Sequence, residues 1–479
     1  MYSSDLLAQC NYFTSDSLLP LKKIRTEADK KRYEKRGYTP GYTFSEWQQT
    51  FPKIDPNHIF YLNVINVKTV YFDAEHFIYV YLPMFGKEFW ASQNEIQSEA
   101  EFQDYVVKAI QIQTARAQEN PPDYAGLFTM YPPGLRMEAM STLLEKEGET
   151  PLFYDIFITL YTTSKFSTKT IPVRLIQALK RSKSDAQKEN TAKTSAKHFG
   201  DAEMIQVYRG IADRSAAPDE AISWTPNINE AYHFANMLGK KPRIVYGQVR
   251  REDIIEYLDL EQEKGTEEEF LVMPGTVRIR KIEPLYGITD KVVQDDVDKI
   301  LNIYTIYKQL IISLYDKFGR KSSDHDRIHS MRVLLYALVL ASHLGVSKTG
   351  MMQLAEAATF HDIGRVDDTG NTTHGMRSVE FYLQARGKAA DHVVEFLIIN
   401  HCRSDATAKE HLVNQLSRGE TKRVWTLFTI LKDADALDRI RFGYHVFPGS
   451  DGLDVMQLRN EWSKRIVPLA QQAEQLLEG

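Results

Sequence analysis

Six ligand-type side chains in the last third of the chain constrain its fold more than any other feature: His329, the doublet His361-Asp362, His374, His401 and Asp435. Four of them lie in apolar stretches with helical spacing, where a buried imidazole or carboxylate is costly unless something pairs with it. The doublet alone carries little weight, since the chain also contains His325-Asp326. Adjacent helical residues point about 100° apart, so His361 and Asp362 reach one ion only where a helix end faces a cavity, with Gly364 as a helix stop. His329 opens the segment HSMRVLLYALVLASHL and Asp435 lies within WTLFTILKDADALDRI, so the ligands come from separate helices of a bundle. A divalent metal is the partner such a set calls for, and mixed imidazole and carboxylate donors suit Mn, Fe, Zn or Mg.

At 479 residues the chain exceeds what one hydrophobic core supports, and two or three domains are expected. A net charge of −5 gives no electrostatic case for nucleic acid or a membrane surface. Cys10 and Cys402 are too few for a disulfide framework, and neither sits in a CxxC pair. The start, MYSSDLLAQC, lacks the features of a secretory signal, and the longest apolar run, Val333 to Leu344, is far shorter than the ~20 residues that span a bilayer. A cytoplasmic protein without a membrane segment is expected.

Residues 58 to 84 are dense in Ile, Val, Phe and Tyr and predict two or three strands, followed by a helix over about 96–118. Helical spacing returns over about 135–182, whereas SKSDAQKENTAKTSAKHFGD loses its apolar residues and reads as an exposed loop. Strand signals resume at MIQVYRG, RIVYGQV, EFLVM and TVRIRKIEPLY, with the helix NINEAYHFANML between the first two. After about 288 they almost vanish in favour of amphipathic helices. The expected organisation is an α/β N-terminal region of unknown fold (1–122), an α+β region (123–288) and an all-α helical bundle (289–479).

The successive segments HSMRVLLYALVLA, LAEAATFHDIGR, HGMRSVEFYL, INH and LKDADALDRIRFG resemble the motifs of the HD phosphohydrolase superfamily, over roughly residues 320–445. The likeness is strongest to small bacterial members that cleave nucleotides. It implies His329, His361, Asp362 and Asp435 as metal ligands, and His374 and His401 as the additional histidines that hold a second metal or position a phosphate. Such a site hydrolyses a phosphoester or phosphoanhydride through a metal-activated water. Lys432, Arg365 and Arg377 are the nearest cations in sequence for the substrate phosphate.

A second constellation lies upstream. Tyr208-Arg209-Gly210 ends a strand, Ser223-Trp224-Thr225 precedes the helix that carries Phe234, and Glu267-Glu268-Glu269 leads into FLVMPG. Alternate residues of a strand share a face, so Glu267 and Glu269 point into one cleft. Two carboxylates beside an arginine suit a cationic, oxocarbenium-like transition state with a diphosphate held nearby. The order resembles the ADP-ribosyltransferases of the Arg-Ser-Glu class, over roughly residues 125–285. That resemblance implies an ADP-ribosyltransferase-like domain with NAD as substrate. Arg209 would anchor the NAD, Gly210 would offer its backbone to the nicotinamide amide, and Ser223 would order the pocket. Glu269 would be the catalytic acid at the nicotinamide ribose, and Glu267 would prepare the acceptor. The family's middle motif is commonly Ser-Thr-Ser; here it is Ser223-Trp224-Thr225, which leaves the role of Thr225 open.

The first functional expectation is a two-activity cytosolic enzyme: an NAD-dependent mono-ADP-ribosyltransferase joined to a metal-dependent phosphohydrolase. Its acceptor is a protein, with arginine one candidate, or a nucleic acid, and its second substrate is a nucleotide-like phosphate. Such a pairing suits a bacterial toxin, effector or antiphage protein. The second expectation keeps the hydrolase and makes the central region a non-catalytic sensor of NAD or ADP-ribose; the third is an interaction module with both sites vestigial.

Overall fold

The computed structural model describes residues 18–64, 67–82, 98–162, 171–213, 215–237, 239–262, 265–318, 326–367, 372–415, 418–446 and 449–477. It is a mixed α/β protein of many helices and small antiparallel sheets. Among the described residues, no helix is long and apolar enough to cross a membrane.

The first sheet joins β1 (Leu18–Pro20), β2 (Ile59–Val64), β3 (Val67–Asp73) and β4 (Ile78–Leu82) in that order, with each pair antiparallel. Its side chains alternate with period two. Ile59, Tyr61, Tyr71, Ile78 and Val80 bury one face against α1 (Glu27–Glu34), α2 (Phe44–Thr50) and α3 (Glu99–Ala117), chiefly through Trp47, Phe51, Phe102 and Val106 of the last two. Leu62, Val70, Phe72 and Tyr79 bury the other against the helices α4 (Tyr124–Thr129), α5 (Pro133–Glu147), α6 (Pro151–Thr162) and α7 (Val173–Ser182). That second core runs from Leu62 to Leu271, so apolar packing crosses residue 122.

The loop expected over 182–201 is instead a helix, α8 (Asp185–Phe199). Ser184 caps it: its hydroxyl accepts from the Gln187 amide while the Gln187 side chain reaches back to Ser184, a capping box that satisfies two otherwise unpaired donors. Thr191 ties the helix down by donating to Glu256 at 2.9 Å, and Phe199 packs on Tyr257 and Phe270.

Two three-stranded sheets follow. One orders β10 (Arg278–Pro284), β7 (Arg243–Arg250) and β5 (Met204–Ile211); the other orders β6 (Ser223–Trp224), β9 (Gly265–Val272) and β8 (Ile254–Gln262). A bridge between Tyr208 and Thr225 ties them together. The helix α9 (Ile228–Met237) lies on β5 at Gly210, where an added Cβ would meet the Ala231 carbonyl oxygen at 2.0 Å.

The remainder is helical: α10 (Lys291–Phe318), α11 (Arg327–His343), α12 (Lys348–Phe360), α13 (His374–Arg386), α14 (His392–Asn400), α15 (Asp405–Gln415), α16 (Arg418–Leu437), α17 (Glu461–Arg465) and α18 (Val467–Leu477). Its core takes in Ile228, Ala231, Tyr232, Ala235, Ile244 and Leu285 from the preceding sheet region, so the packing also crosses 288. Asn229 donates to the His445 carbonyl at 2.9 Å and accepts from the Val455 amide at 2.9 Å. Asn236 donates to the Tyr444 hydroxyl at 2.6 Å, and Arg465 to the buried Glu283 at 2.8 Å.

Candidate functional site

The helical unit brings all six of its candidate ligands together. His329 lies in the first turn of α11, where the N-cap Asp326 fixes the backbone by accepting from the His329 amide at 3.0 Å. His361 and His401 share one local device. Each caps the end of a helix, and each donates its Nδ1 proton to a carbonyl three residues back, Ala358 at 2.8 Å and Ile398 at 2.6 Å. That hydrogen bond satisfies a terminal carbonyl and leaves Nε2 facing the interior. Gly364 is no helix stop, since α12 already ends at Phe360. It permits close approach instead: a Cβ there would lie 2.4 Å from the Ser378 nitrogen, and its own amide donates to Ser378 Oγ at 3.0 Å. Gly375 does the same between α13 and α14, with the Ile398 carbonyl oxygen 2.8 Å from an added Cβ.

Around one side of Asp362, His329 Nε2 stands 3.1 Å from His361 Nε2, 3.4 Å from Asp362 Oδ2 and 3.4 Å from Asp435 Oδ1. His361 Nε2 lies 3.8 Å from Asp362 Oδ2 and 3.9 Å from Asp435 Oδ1. Donors at about 2.1 Å from a tetrahedral ion stand about 3.4 Å apart, so His329, His361 and Asp362 have the spacing of a ligand set, with Asp435 beside the two imidazoles. On the other side, Asp362 Oδ1 lies 3.2 Å from His374 Nε2 and 3.1 Å from His401 Nε2, which are 2.9 Å from each other. Asp362 therefore offers one oxygen to each of two nests, and Cys402 adds its thiol to the second, within 4.8 Å of the histidine donor atoms. All these side chains are buried except Cys402, which is partly so, and Asp435, which at 32 % exposure marks the mouth.

The charges follow from this crowding. Burial favours neutral imidazole, but its hydrogen bonds to the Asp362 and Asp438 carboxylates outweigh it at His329 and raise its pKa to about 10. Against the same opposition from burial, the Asp362 and Cys402 side chains raise His374 to about 9. Burial prevails at His361, which falls to about 4. Burial also opposes ionisation of Asp362, yet the imidazoles around it, His361 foremost, hold its carboxyl well below the ordinary range. Without metal the nests are held together by protons, and those are what a dication displaces.

Four contributors were not singled out in the sequence. Asp438, one helical turn beyond Asp435, accepts from His329 Nδ1 at 2.7 Å and also takes the guanidinium groups of Arg332 and Arg441. The i, i+3 spacing of Asp435 and Asp438 was its available signal; Cys402, next to His401, had none beyond adjacency. The three proposed phosphate cations already have protein partners: Arg365 donates to Asp362 Oδ2 at 3.0 Å, Arg377 to the Gly364 carbonyl at 2.9 Å and Lys432 to the His401 carbonyl at 2.7 Å.

The central region brings Arg209, Ser223 and Glu269 together. Arg209 on β5 donates to the Ser223 carbonyl. Glu269 on β9 accepts from Tyr161 at 2.6 Å and lies within electrostatic reach of Arg209. Tyr161, from α6, also meets the Ser223 side chain; burial and then Glu269 raise its pKa well above 10. The sequence offered no sign of Tyr161, which comes from a helix 108 residues away in the chain.

Thr225 has a role of its own: buried, it donates to Glu230 Oε2 at 2.6 Å, while Glu230 Oε1 accepts from the Glu268 amide at 3.0 Å. Glu230 on α9 thus clamps the two strands that carry Ser223 and Glu269. Ser223 and Trp224 are strand, and Asn227, just ahead of the helix, accepts from the Asn229 amide at 3.0 Å. Gly210 is explained by its contact with α9, and Phe234 is half-buried on that helix against His233. Glu267 pairs in register with Leu260, and its side chain lies outside the described residues. No family model, curated protein or solved structure matches the chain.

Proposed function

We propose that the chain is a metal-dependent phosphohydrolase of the HD type joined to an NAD-dependent mono-ADP-ribosyltransferase of the Arg-Ser-Glu type. The observation that carries the first activity is the nest of His329, His361 and Asp362, whose donor atoms lie within 4.8 Å of one another, with Asp435 Oδ1 3.4 and 3.9 Å from the two imidazoles. A divalent ion bound there supplies Lewis acidity toward a phosphoryl oxygen and a water whose pKa falls toward ~7. The residues around it do the rest. Asp438 and the Ala358 carbonyl hold two imidazoles in the tautomer that presents Nε2. Asp435, at 32 % exposure, leaves the nest open to solvent, where a phosphate enters.

For the second activity, Arg209 binds the NAD diphosphate, and Glu269 stabilises the oxocarbenium charge that develops as the nicotinamide bond breaks. Tyr161 orients the Glu269 carboxylate. One observation favours the alternative, a sensor of NAD or ADP-ribose: Glu269 and Arg209 are both already engaged within the protein.

Labelled NAD incubated with the full chain and a cell lysate, with and without Mn, tests both activities. Label on protein or nucleic acid, abolished by Glu269→Gln, is the expected result. Phosphate release from a nucleotide panel, abolished by Asp362→Asn, tests the hydrolase; absence of both overturns the proposal. Nicotinamide release lost in Glu269→Gln with hydrolysis intact separates the transferase from the sensor.

A further inference from the structure

Asp362 Oδ1, His374 Nε2 and His401 Nε2 form a triangle with edges of 2.9, 3.1 and 3.2 Å on the side of Asp362 away from Asp435. His401 donates its Nδ1 proton to the Ile398 carbonyl, which turns its Nε2 into the triangle. Cys402 directly follows it, with Sγ within 4.8 Å of a ring nitrogen of each of the two histidines. Its position is set by backbone packing: Sγ donates to the Thr372 carbonyl at 3.1 Å and lies 3.1 Å from where a Cβ on Gly375 would be, beyond the Ile398 and Ile399 carbonyl oxygens at 2.8 and 2.9 Å.

We infer that Cys402 is a thiolate ligand of a second ion held by His374, His401 and Asp362, and that this nest selects a borderline-soft dication such as zinc, iron(II) or cobalt(II). The inference rests on the metal-centre reading above and adds to it a soft donor that the first nest lacks. A ligand set of two nitrogens, one oxygen and one sulfur is what a tetrahedral zinc-class ion takes, with bonds of about 2.1 Å to nitrogen and about 2.3 Å to sulfur. Thiolate disfavours Mg and Mn, which prefer oxygen. The two nests, joined through one carboxylate, then differ in hardness: two imidazoles with two carboxylates on the open side, and a thiolate-bearing set beneath. Binding expels the thiol proton to solvent and leaves the sulfur oxidation state unchanged.

The test is cobalt(II) titration of the full chain after chelator treatment, read by near-ultraviolet absorbance and by metal analysis. A thiolate-to-cobalt charge-transfer band growing in with one equivalent, within a total of two, is expected. Cys402→Ser should lose the band and bind that equivalent roughly ten- to hundredfold more weakly while keeping the other, whereas Cys10→Ser should keep both. Cobalt should also protect Cys402 of the unsubstituted chain from alkylation, a readout independent of how the variant folds. Two equivalents bound without the band, or a band that survives Cys402→Ser, overturns the ligand assignment and leaves the first nest standing. No cobalt bound at all overturns both this inference and the hydrolase reading.

Discussion

Replacing Asp438 by Ala isolates the part of the candidate metal site that lies outside the ligand set itself. The carboxylate is buried and accepts a hydrogen bond from His329 Nδ1 at 2.7 Å, with the Arg332 and Arg441 guanidinium groups on its remaining lone pairs. Its loss strands the buried Arg332 charge. Removing one partner of a buried pair costs about 3–5 kcal/mol, which for a unit of this size lowers the melting temperature by roughly 6–20 °C. It also frees the His329 ring, and loss of such an outer partner weakens metal binding by about 10–100-fold. The two effects separate in a second variant. Asp438→Leu with Arg332→Met removes the stranded charge together with its partner, so most of the stability should return while metal affinity stays low. Calorimetry in chelator reads the first effect and competition with a metal indicator the second. A melting shift below about 2 °C with unchanged metal affinity in Asp438→Ala would refute the argument.

Asp362→Asn should empty both nests at once, leaving well under one equivalent of metal by elemental analysis, because each uses a different oxygen of that carboxylate; retention of one full equivalent would contradict the shared role. Metal binding should strengthen with pH. His329 and His374 are raised to about 10 and about 9 without metal, so their stabilising protons are fully present below the ordinary 6.5 and are lost as pH rises through those values. Each site should therefore gain up to about tenfold in affinity per pH unit between 7 and 9, and a flat profile from chelator competition would show the imidazoles already neutral. Gly210→Ala should cost about 1–3 kcal/mol by driving a methyl into the Ala231 carbonyl, read by denaturation of the full chain; a neutral change would mean α9 moves freely on β5.

Much of this architecture was legible in the sequence because the strongest signals are periodic. A density of Ile, Val, Phe and Tyr marked the strands over 58–84, and the apolar frames around His329, His361 and Asp435 marked helices that have nowhere to go except inward. The signals that failed were of two kinds. The helix over 185–199 lacks the apolar stripe on which periodicity depends; its evidence was chemical, in the cap at Ser184 and the helix-forming Ala, Lys, Gln and Glu that follow. Tyr161, Glu230 and Asp438 act through partners distant in the chain or one turn away, and a residue whose role is to hold another residue leaves no pattern of its own. The expected boundaries at 122 and 288 followed changes in element type, whereas the apolar packing follows neither.

The helix α9 faces two ways, clamping the strands of Ser223 and Glu269 through Glu230 while Asn229 and Asn236 are bonded into the loops beyond Asp438. A truncation at residue 288 would therefore divide a shared interior: the C-terminal fragment would be left with an uncovered greasy surface and unanswered polar atoms, prone to aggregate. Any shift of that helix on β5 would be felt mechanically in the segment that aligns His329.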